Sequence, residues 1–517
     1  MERRPAGELP ALQKGGIVVR RPSSSGIYVF LLRLMLAVTI LLCSAAFFVG
    51  VSQDRKHFSD FLVGILMGVI LFCFLLPAVA NLLLRLRGNG ALFFLIILCF
   101  TVKLFWVAAV RVPVSGDYAV FWGYANALSQ QAVLSGGRYM ALFPHIFGYS
   151  QVLSLFLALF GSHPWLPPLL NVLLSVCSGY FLFRLCLQWL SLRAAVYGFL
   201  LWIICPSQTI YNSLVLPEPL YTALILGFLL VVTNAFDGRV RTRPVLSAVA
   251  SGLLSGILLR LIQGCRPIAA ILILAFLLWF FLIRPAAPAK RAVFSFGMIV
   301  SAVLILVYLC SGVLWNALIT YRIQEEPSST PGYSILVGFN EESGGRWNQE
   351  DSDKLYEYNS QANSTAQQVQ EQMLSDAIAR ITDGGIDFPQ LFVQKFRYFL
   401  GSDDSCVGYS NAVLRHTPLF STLCNGFFYL ILMTAVFGAV KLWRSKTATA
   451  YTLVPLYITG LILAQMLVEV AGRYHYSIIP MLILLGQAAL HRAKPIPDKS
   501  QKDRGCSSPP LNASRVD

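Results

Sequence analysis

The chain has 517 residues, of which 56% are hydrophobic and only 13% charged, with a mean hydropathy of +0.65 and a formal net charge of +15. Soluble domains carry about a quarter charged residues, so this composition excludes a water-soluble globular fold. The positive charge sits in short loops and at both termini rather than in a compact basic patch with interleaved aromatics, which excludes a nucleic-acid binder.

Met1 to Arg21 reads as a basic cytoplasmic arm, with no cleavage site after the apolar run Ile27 to Gly50, so that run is expected to be a retained first helix. Apolar stretches of about twenty residues match the thickness of a bilayer core. They predict spans at 27–50, 61–84, 91–111, 166–186, 194–211, 216–234, 247–264, 267–284, 292–315, 417–440, 450–468 and 474–490. Lys103 falls near the middle of the third, where it must pair inside the bundle, snorkel or serve a function. With twelve spans, the basic loops at 85–87, 184–193, 239–243, 284–291 and 441–446, and the tail after His491, fall on one side. That side is the cytoplasm by the positive-inside rule, and both termini lie there.

Two outward segments remain. Pro144 to Gly161 is apolar but short, and reading it as a full span would move every later basic loop outside; it is expected to lie in the outer leaflet. Asn316 to His416 carries 14 acids and 7 bases, the reverse of the rest of the chain. Within it, Ala366, Val369, Met373, Ala377, Ile378 and Ile381 follow a helical period, with Asn363-Ser364 as cap and Gly384-Gly385 as stop. Phe388 to Phe399 alternates phenylalanines with Lys395 and Arg397, as in an interfacial helix. The eleven cysteines lie mostly in spans and show neither zinc nor disulfide spacing.

The expected fold class is therefore an all-α polytopic membrane protein of about 12 transmembrane helices, with interfacial helices and a large helical extracytoplasmic loop. Its parts are a cytoplasmic arm (1–26), two additional N-terminal spans (27–90), a core (91–315) with a first outer loop (112–165), an outer loop domain (316–416), three C-terminal spans (417–490) and a disordered cytoplasmic tail (491–517).

Charged and aromatic groups gather at the outer ends of these spans. Asp117 follows the third, and Arg138 and Tyr139 lie in the same loop. Glu218 opens the sixth within Pro217-Glu218-Pro219. Arg266-Pro267 turns between the seventh and eighth, and Glu469 with Arg473-Tyr474-His475 occupies the last outer turn. The stretch GDYAVFWGYANAL followed by FPHIFGYSQVLSLFLALFG resembles the first outer loop of bacterial GT-C-type glycosyltransferases that use polyprenyl-phosphate sugars, relatives of protein mannosyltransferases and aminoarabinose transferases (glycosyltransferase family 39-like). Arg266-Pro267, the run Ile335 to Asp351 (ILVGFNEESGGRWNQED) and Glu469 to Pro480 (EVAGRYHYSIIP) extend the likeness over residues 91–490. The chain differs in two respects. Two extra spans precede the catalytic-loop span, and Tyr118 stands where many members carry the second residue of an Asp-Glu pair.

The resemblance implies transfer of a sugar, with inversion, from a polyprenyl-phosphate donor to an extracytoplasmic hydroxyl. Asp117 would be the general base, with Arg473 and Arg266 on the donor phosphate. Tyr118, Arg138, Glu218, Glu469, Tyr474 and His475 are candidate substrate contacts. The acceptor is a glycan, lipid, polymer or protein, and membrane lipids are the remaining partners. No organic cofactor is expected; a divalent metal is left open, without the adjacent carboxylates that would hold it. A transporter or flippase of lipid-linked sugars and a noncatalytic envelope-assembly subunit are the competing classes. A carrier predicts inverted repeats and helices broken at the midplane, and no repeat is visible.

Overall fold

The computed structural model describes residues 26–54, 58–86, 88–131, 133–134, 136–236, 243–283, 291–445 and 450–490. The expected N-terminal arm and C-terminal tail, and most of the basic loops at 239–243 and 284–291, lie outside the described residues. All regular structure among the described residues is helical.

The first half of the chain forms α1 (Gly26–Asp54), α2 (Phe58–Ile70), a π-helical turn (Leu71–Leu75), α3 (Leu76–Leu83), α4 (Gly90–Ala109), α5 (Asp117–Gln130), α6 (Arg138–Leu142), α7 (Pro144–Phe160), α8 (Leu166–Trp189), α9 (Leu192–Ile204), α10 (Pro206–Ile210), α11 (Glu218–Ala235) and α12 (Pro244–Cys265). After it come α13 (Ala269–Leu278) with a π-helical turn (Trp279–Ile283), α14 (Arg291–Ile323), α15 (Gly332–Gly338), α16 (Gln349–Ser360), α17 (Ala366–Thr382), α18 (Phe388–Leu400), α19 (Ser405–Tyr409), α20 (Thr417–Ser445), α21 (Leu453–Gln465) and α22 (Ile478–Leu490). Every apolar run read from the sequence contains helix among the described residues. Among the described residues seven helices are individually long and apolar enough to cross a bilayer, and α9 with the segment Pro206–Ser213, bent by 59°, makes an eighth if the pair is counted as one span. The remaining apolar helices, α7, α13 with its π turn, α21 and α22, are shorter. The protein is a multi-pass membrane protein.

The burial pattern inverts that of a soluble protein. Phe105, Leu159, Val313 and Leu314 point outward and are largely exposed, as lipid-facing side chains must be. Asn171 and Asn212 are fully buried, and their side-chain amides donate to carbonyls inside the bundle. In hydrocarbon a polar group must find its partner within the protein.

The segment 194–211, expected as one span, is broken at Cys205–Pro206. Proline supplies no N–H and disfavours helical backbone in the residue before it; Cys205 accordingly adopts φ −60°, ψ 114°. The carbonyls freed near the break are met from other helices. Lys103 of α4, fully buried, donates to Thr209 Oγ1 at 2.6 Å and lies 3.5 Å from the Trp202 carbonyl. The Thr209 hydroxyl donates in turn to the Cys205 carbonyl at 2.7 Å. A cation at the C-terminal end of α9 also offsets the partial negative charge there. Lys103 therefore pairs inside the bundle rather than snorkelling.

The segment 316–416 is helical as expected, with two differences. The cap of α17 is Thr365, which forms a capping box with Gln368; Asn363, expected as part of the cap, instead sits at φ +61° in the preceding turn. And α18 is not a helix with both its cations in solvent. Lys395 is fully buried and donates to the carbonyls of Gly338 and Met466, both at 2.7 Å. These are helix-end carbonyls of α15 and α21, which have no other obligatory donor. Burial pushes the Lys395 ammonium down to about 7. Lys395→Met strands both carbonyls. It is expected to cost about 2–4 kcal/mol and to expose residues 316–416 to chymotrypsin, read by thermal unfolding in detergent and limited proteolysis. An unchanged transition and digestion pattern would count against the clamp.

Candidate active site

Five segments distant in sequence converge on one cluster. Asp117 is the first residue of α5, placed there by Gly116, whose φ of +53° is one that residues with a Cβ rarely adopt. The N-terminal end of α5 favours an acid. Glu218 is the first residue of α11 and only 1% exposed. Arg266 ends α12 in extended conformation, as the residue before a proline must. Glu469, Arg473 and Tyr474 come from the connection between α21 and α22, where Gly472–His475 forms a 3-10 turn. Tyr409 closes α19 in the outer loop domain.

The centre is Arg473. Its Nη2 lies 2.8 Å from Asp117 Oδ2, and its Nε 3.8 Å from Glu218 Oε1. The guanidinium also sits 5.7 Å from the ring centroids of both Tyr409 and Tyr474. Arg266 stacks on Tyr474, its guanidinium carbon 3.6 Å from the ring centroid. The Tyr474 hydroxyl reaches Glu469 Oε1 at 3.5 Å. Burial pushes Glu469 above the ordinary carboxylate range, with Arg266 and Arg473 pulling the other way. The second carboxylate oxygen of Glu218 is buried and has no hydrogen-bond donor. Asp117, by contrast, is 60% exposed at its side chain. The site thus presents one accessible carboxylate, two arginines held by aromatic faces, and two carboxylates set deeper.

The loop carrying this cluster is fixed to the outer domain through backbone. Glu469 N–H donates to the Ser334 carbonyl at 2.7 Å, and Val470 N–H to the Gly345 carbonyl at 2.9 Å. From the other side, α7 packs against α5 and α12. Gly148 lies so close to the Gly264 carbonyl that a Cβ there would collide with backbone. That contact brings α7 against the end of α12, the helix that delivers Arg266.

The structure brings Asp117, Glu218, Arg266, Glu469, Arg473 and Tyr474 together. Tyr118 is buried against Tyr409, ring centroids 6.2 Å apart. Two of the residues named from sequence stand elsewhere. Arg138 donates to Asn359 Oδ1 (2.7 Å), Glu325 Oε2 (3.1 Å) and the Ser364 carbonyl (2.8 Å), tying the first outer loop to the second. His475 has its ring taken up by the Phe399 carbonyl, 2.6 Å from Nδ1, and by Asp403 Oδ1, 3.0 Å from Nε2. Sequence reading missed Tyr409 and Asp403, since neither lies in a span end or a turn between spans. The adjacent acids Asp403-Asp404 directly after the amphipathic α18 were the one available signal. Among the described residues no three His, Cys, Asp or Glu side chains are placed to hold a metal ion.

The chain matches no family model and no curated protein. Three solved structures are similar. The oligosaccharyltransferase AglB from Archaeoglobus fulgidus, solved with an inhibitory peptide and a dolichol-phosphate, aligns with 77% of this chain and 50% of its own at 14% identity and a TM-score of 0.44. The chain thus spans about half the length of that protein. ArnT from Cupriavidus metallidurans aligns over 78% of both chains, in the apo state at 12% identity and TM-score 0.34 and with undecaprenyl phosphate at 11% and 0.33.

The contact between Arg473 and Glu218 predicts a coupling. Arg473→Ala leaves Glu218 buried without its nearest cation and is expected to destabilise the protein by on the order of 3 kcal/mol. Adding Glu218→Gln to that variant should recover part of the loss. A double variant no more stable than Arg473→Ala in thermal unfolding would show that the two side chains are not coupled.

Proposed function

We propose that the protein is a membrane glycosyltransferase that moves a sugar from a polyprenyl-phosphate donor to an acceptor hydroxyl on the extracytoplasmic side, with inversion, using Asp117 as general base. The observation that carries this reading is the ion pair of Arg473 with Asp117, 2.8 Å apart at the mouth of the cluster. A phosphate is a bidentate partner for a guanidinium. When the donor head group arrives, its phosphate takes the place of Asp117 at Arg473 and frees an exposed carboxylate beside the anomeric carbon. The motif likeness at 116–128 and 469–480 supports the same assignment.

In the chemical step the acceptor oxygen bonds to the anomeric carbon and the bond to the phosphate oxygen breaks. The hydroxyl proton passes to Asp117, and the electron pair leaves with the lipid phosphate. Arg473 and Arg266 meet the charge gained there, where water is scarce and fixed cations act strongly. Tyr409 and Tyr474 hold the two guanidiniums in place. Glu218, too deep to meet an acceptor, balances Arg473 from below.

Membranes from a host lacking the protein, supplied with radiolabelled polyprenyl-phosphate sugars, test this directly. Wild type should move label to an acceptor. Asp117→Asn at matched expression should lower the rate by about 100- to 10,000-fold, the range for loss of a general base. Transfer that survives Asp117→Asn would dismiss Asp117 as the base. No transfer from any donor, with altered sidedness of the labelled lipid, would dismiss the enzyme reading in favour of a flippase.

A further inference from the structure

Behind the cluster lies a second, fully enclosed polar group that the transfer step does not use. Ser207, Asp403 and His475 are 0%, 2% and 1% exposed. The Ser207 hydroxyl donates to Asp403 Oδ2 at 2.5 Å, and Asp403 Oδ1 lies 3.0 Å from His475 Nε2. The Asp403 N–H donates to Asn425 Oδ1 at 2.8 Å. The three side chains join the broken helix at α10, the segment leading into α19, and the 3-10 turn before α22. Each of the last two also carries a residue of the cluster: Tyr409 follows Asp403 through α19, and Arg473 stands two residues before His475 in the same turn.

The hydrogen count in this group is constrained. The Phe399 carbonyl can only accept, so His475 Nδ1 carries a hydrogen. One further proton must lie between Nε2 and Asp403 Oδ1, on whichever atom holds it. Remove it and two acceptors face each other at 3.0 Å, next to Phe399 and to Phe428, whose ring stacks on the imidazole. No water-like medium is there to screen that repulsion.

Resting on the reading of Arg473 as a phosphate ligand, we propose that the proton shared by Asp403 and His475 holds the Gly472–His475 turn shut and so positions Arg473 for the donor. Asp403 and His475 are positioning residues. The proton departs as pH rises, so the turn loosens on the alkaline side. Other titratable groups surround the pair. Cys205 and Tyr211 face it from the broken helix, and Asp404 and Cys406 from the α19 segment. From α20 come Cys424 and Tyr429, whose hydroxyl donates to Asp54 of α1, and Tyr476 stands next to His475. Lys395 lies one turn before Phe399 on α18 and keeps a donor for each of its two carbonyls whether charged or neutral.

The test is hydrogen exchange of the peptide spanning 469–480 in purified full-length protein, between about pH 6 and about pH 10, corrected for intrinsic rates. Wild type should lose protection by about tenfold or more on the alkaline side. Asp403→Asn should hold its protection across the range, because its amide N–H donates to a neutral imidazole and needs no shared proton. His475→Ala should be unprotected throughout. In the transfer assay the donor KM of wild type should rise over the same range with little change in kcat, and Asp403→Asn should abolish that rise. Wild-type protection that does not vary with pH, or an Asp403→Asn protein that titrates like wild type, overturns the proposal; the first needs no variant to fold. Exchange that behaves as expected in a protein that transfers no sugar would retain the proton-held turn and overturn its link to a donor phosphate.

Discussion

A largely buried guanidinium at the end of a helical bundle has to be neutralised, and few local residues can do it. Arg473 meets this constraint by drawing carboxylates from α5 and α11 and aromatic faces from the outer domain and its own turn. The rest of the outer architecture follows from that demand. The turn that carries Arg473 is held by backbone bonds to residues 334 and 345. It is held also through Lys395 and the buried Asp403–His475 contact. Each of these ties would be a poor use of a buried polar group if the turn were free to move.

The same economy explains the broken helix. A continuous α9 would place residues 205–213 in a regular ladder, with no free backbone group for its neighbours to bind. The break at Cys205–Pro206 turns the chain by 59° and releases carbonyls and hydroxyls inside the bundle. Lys103 and Thr209 meet one part of them, and Asn171 donates to the Asn212 and Leu214 carbonyls. Ser207 turns toward Asp403. Polar side chains that the bilayer would otherwise expel thereby link the transmembrane bundle to the outer loop.

Much of this was legible in the chain. Long apolar runs announced the helices because the bilayer demands length before anything else. Asp117, Glu218, Arg266, Glu469 and Arg473 stood out because charge is rare in this sequence and these residues interrupt the ends of apolar runs. What the sequence could not convey was pairing between distant segments. Arg138 looked like a member of the site because it shares a loop with Asp117, yet three outer-loop partners claim it. Lys395 looked like the polar face of an interfacial helix, and only the approach of two helix-end carbonyls makes its burial tolerable. His475 sits beside Arg473 in sequence, but a 3-10 turn sends neighbouring side chains in different directions, so it anchors the turn from behind.

The difference between the carboxylates at Arg473 bears on how such a site could work. Glu218 is sealed in and Asp117 is more than half exposed, so an incoming anion can displace only one of them. Displacing Asp117 costs little, because water and the N-terminal end of α5 receive the freed charge. Displacing Glu218 would strand a charge in apolar surroundings. An anion that binds Arg473 therefore liberates the exposed carboxylate while the cation keeps its buried counter-charge. On the proposed reading, donor binding itself readies the acceptor base, and an empty site holds that base paired and idle.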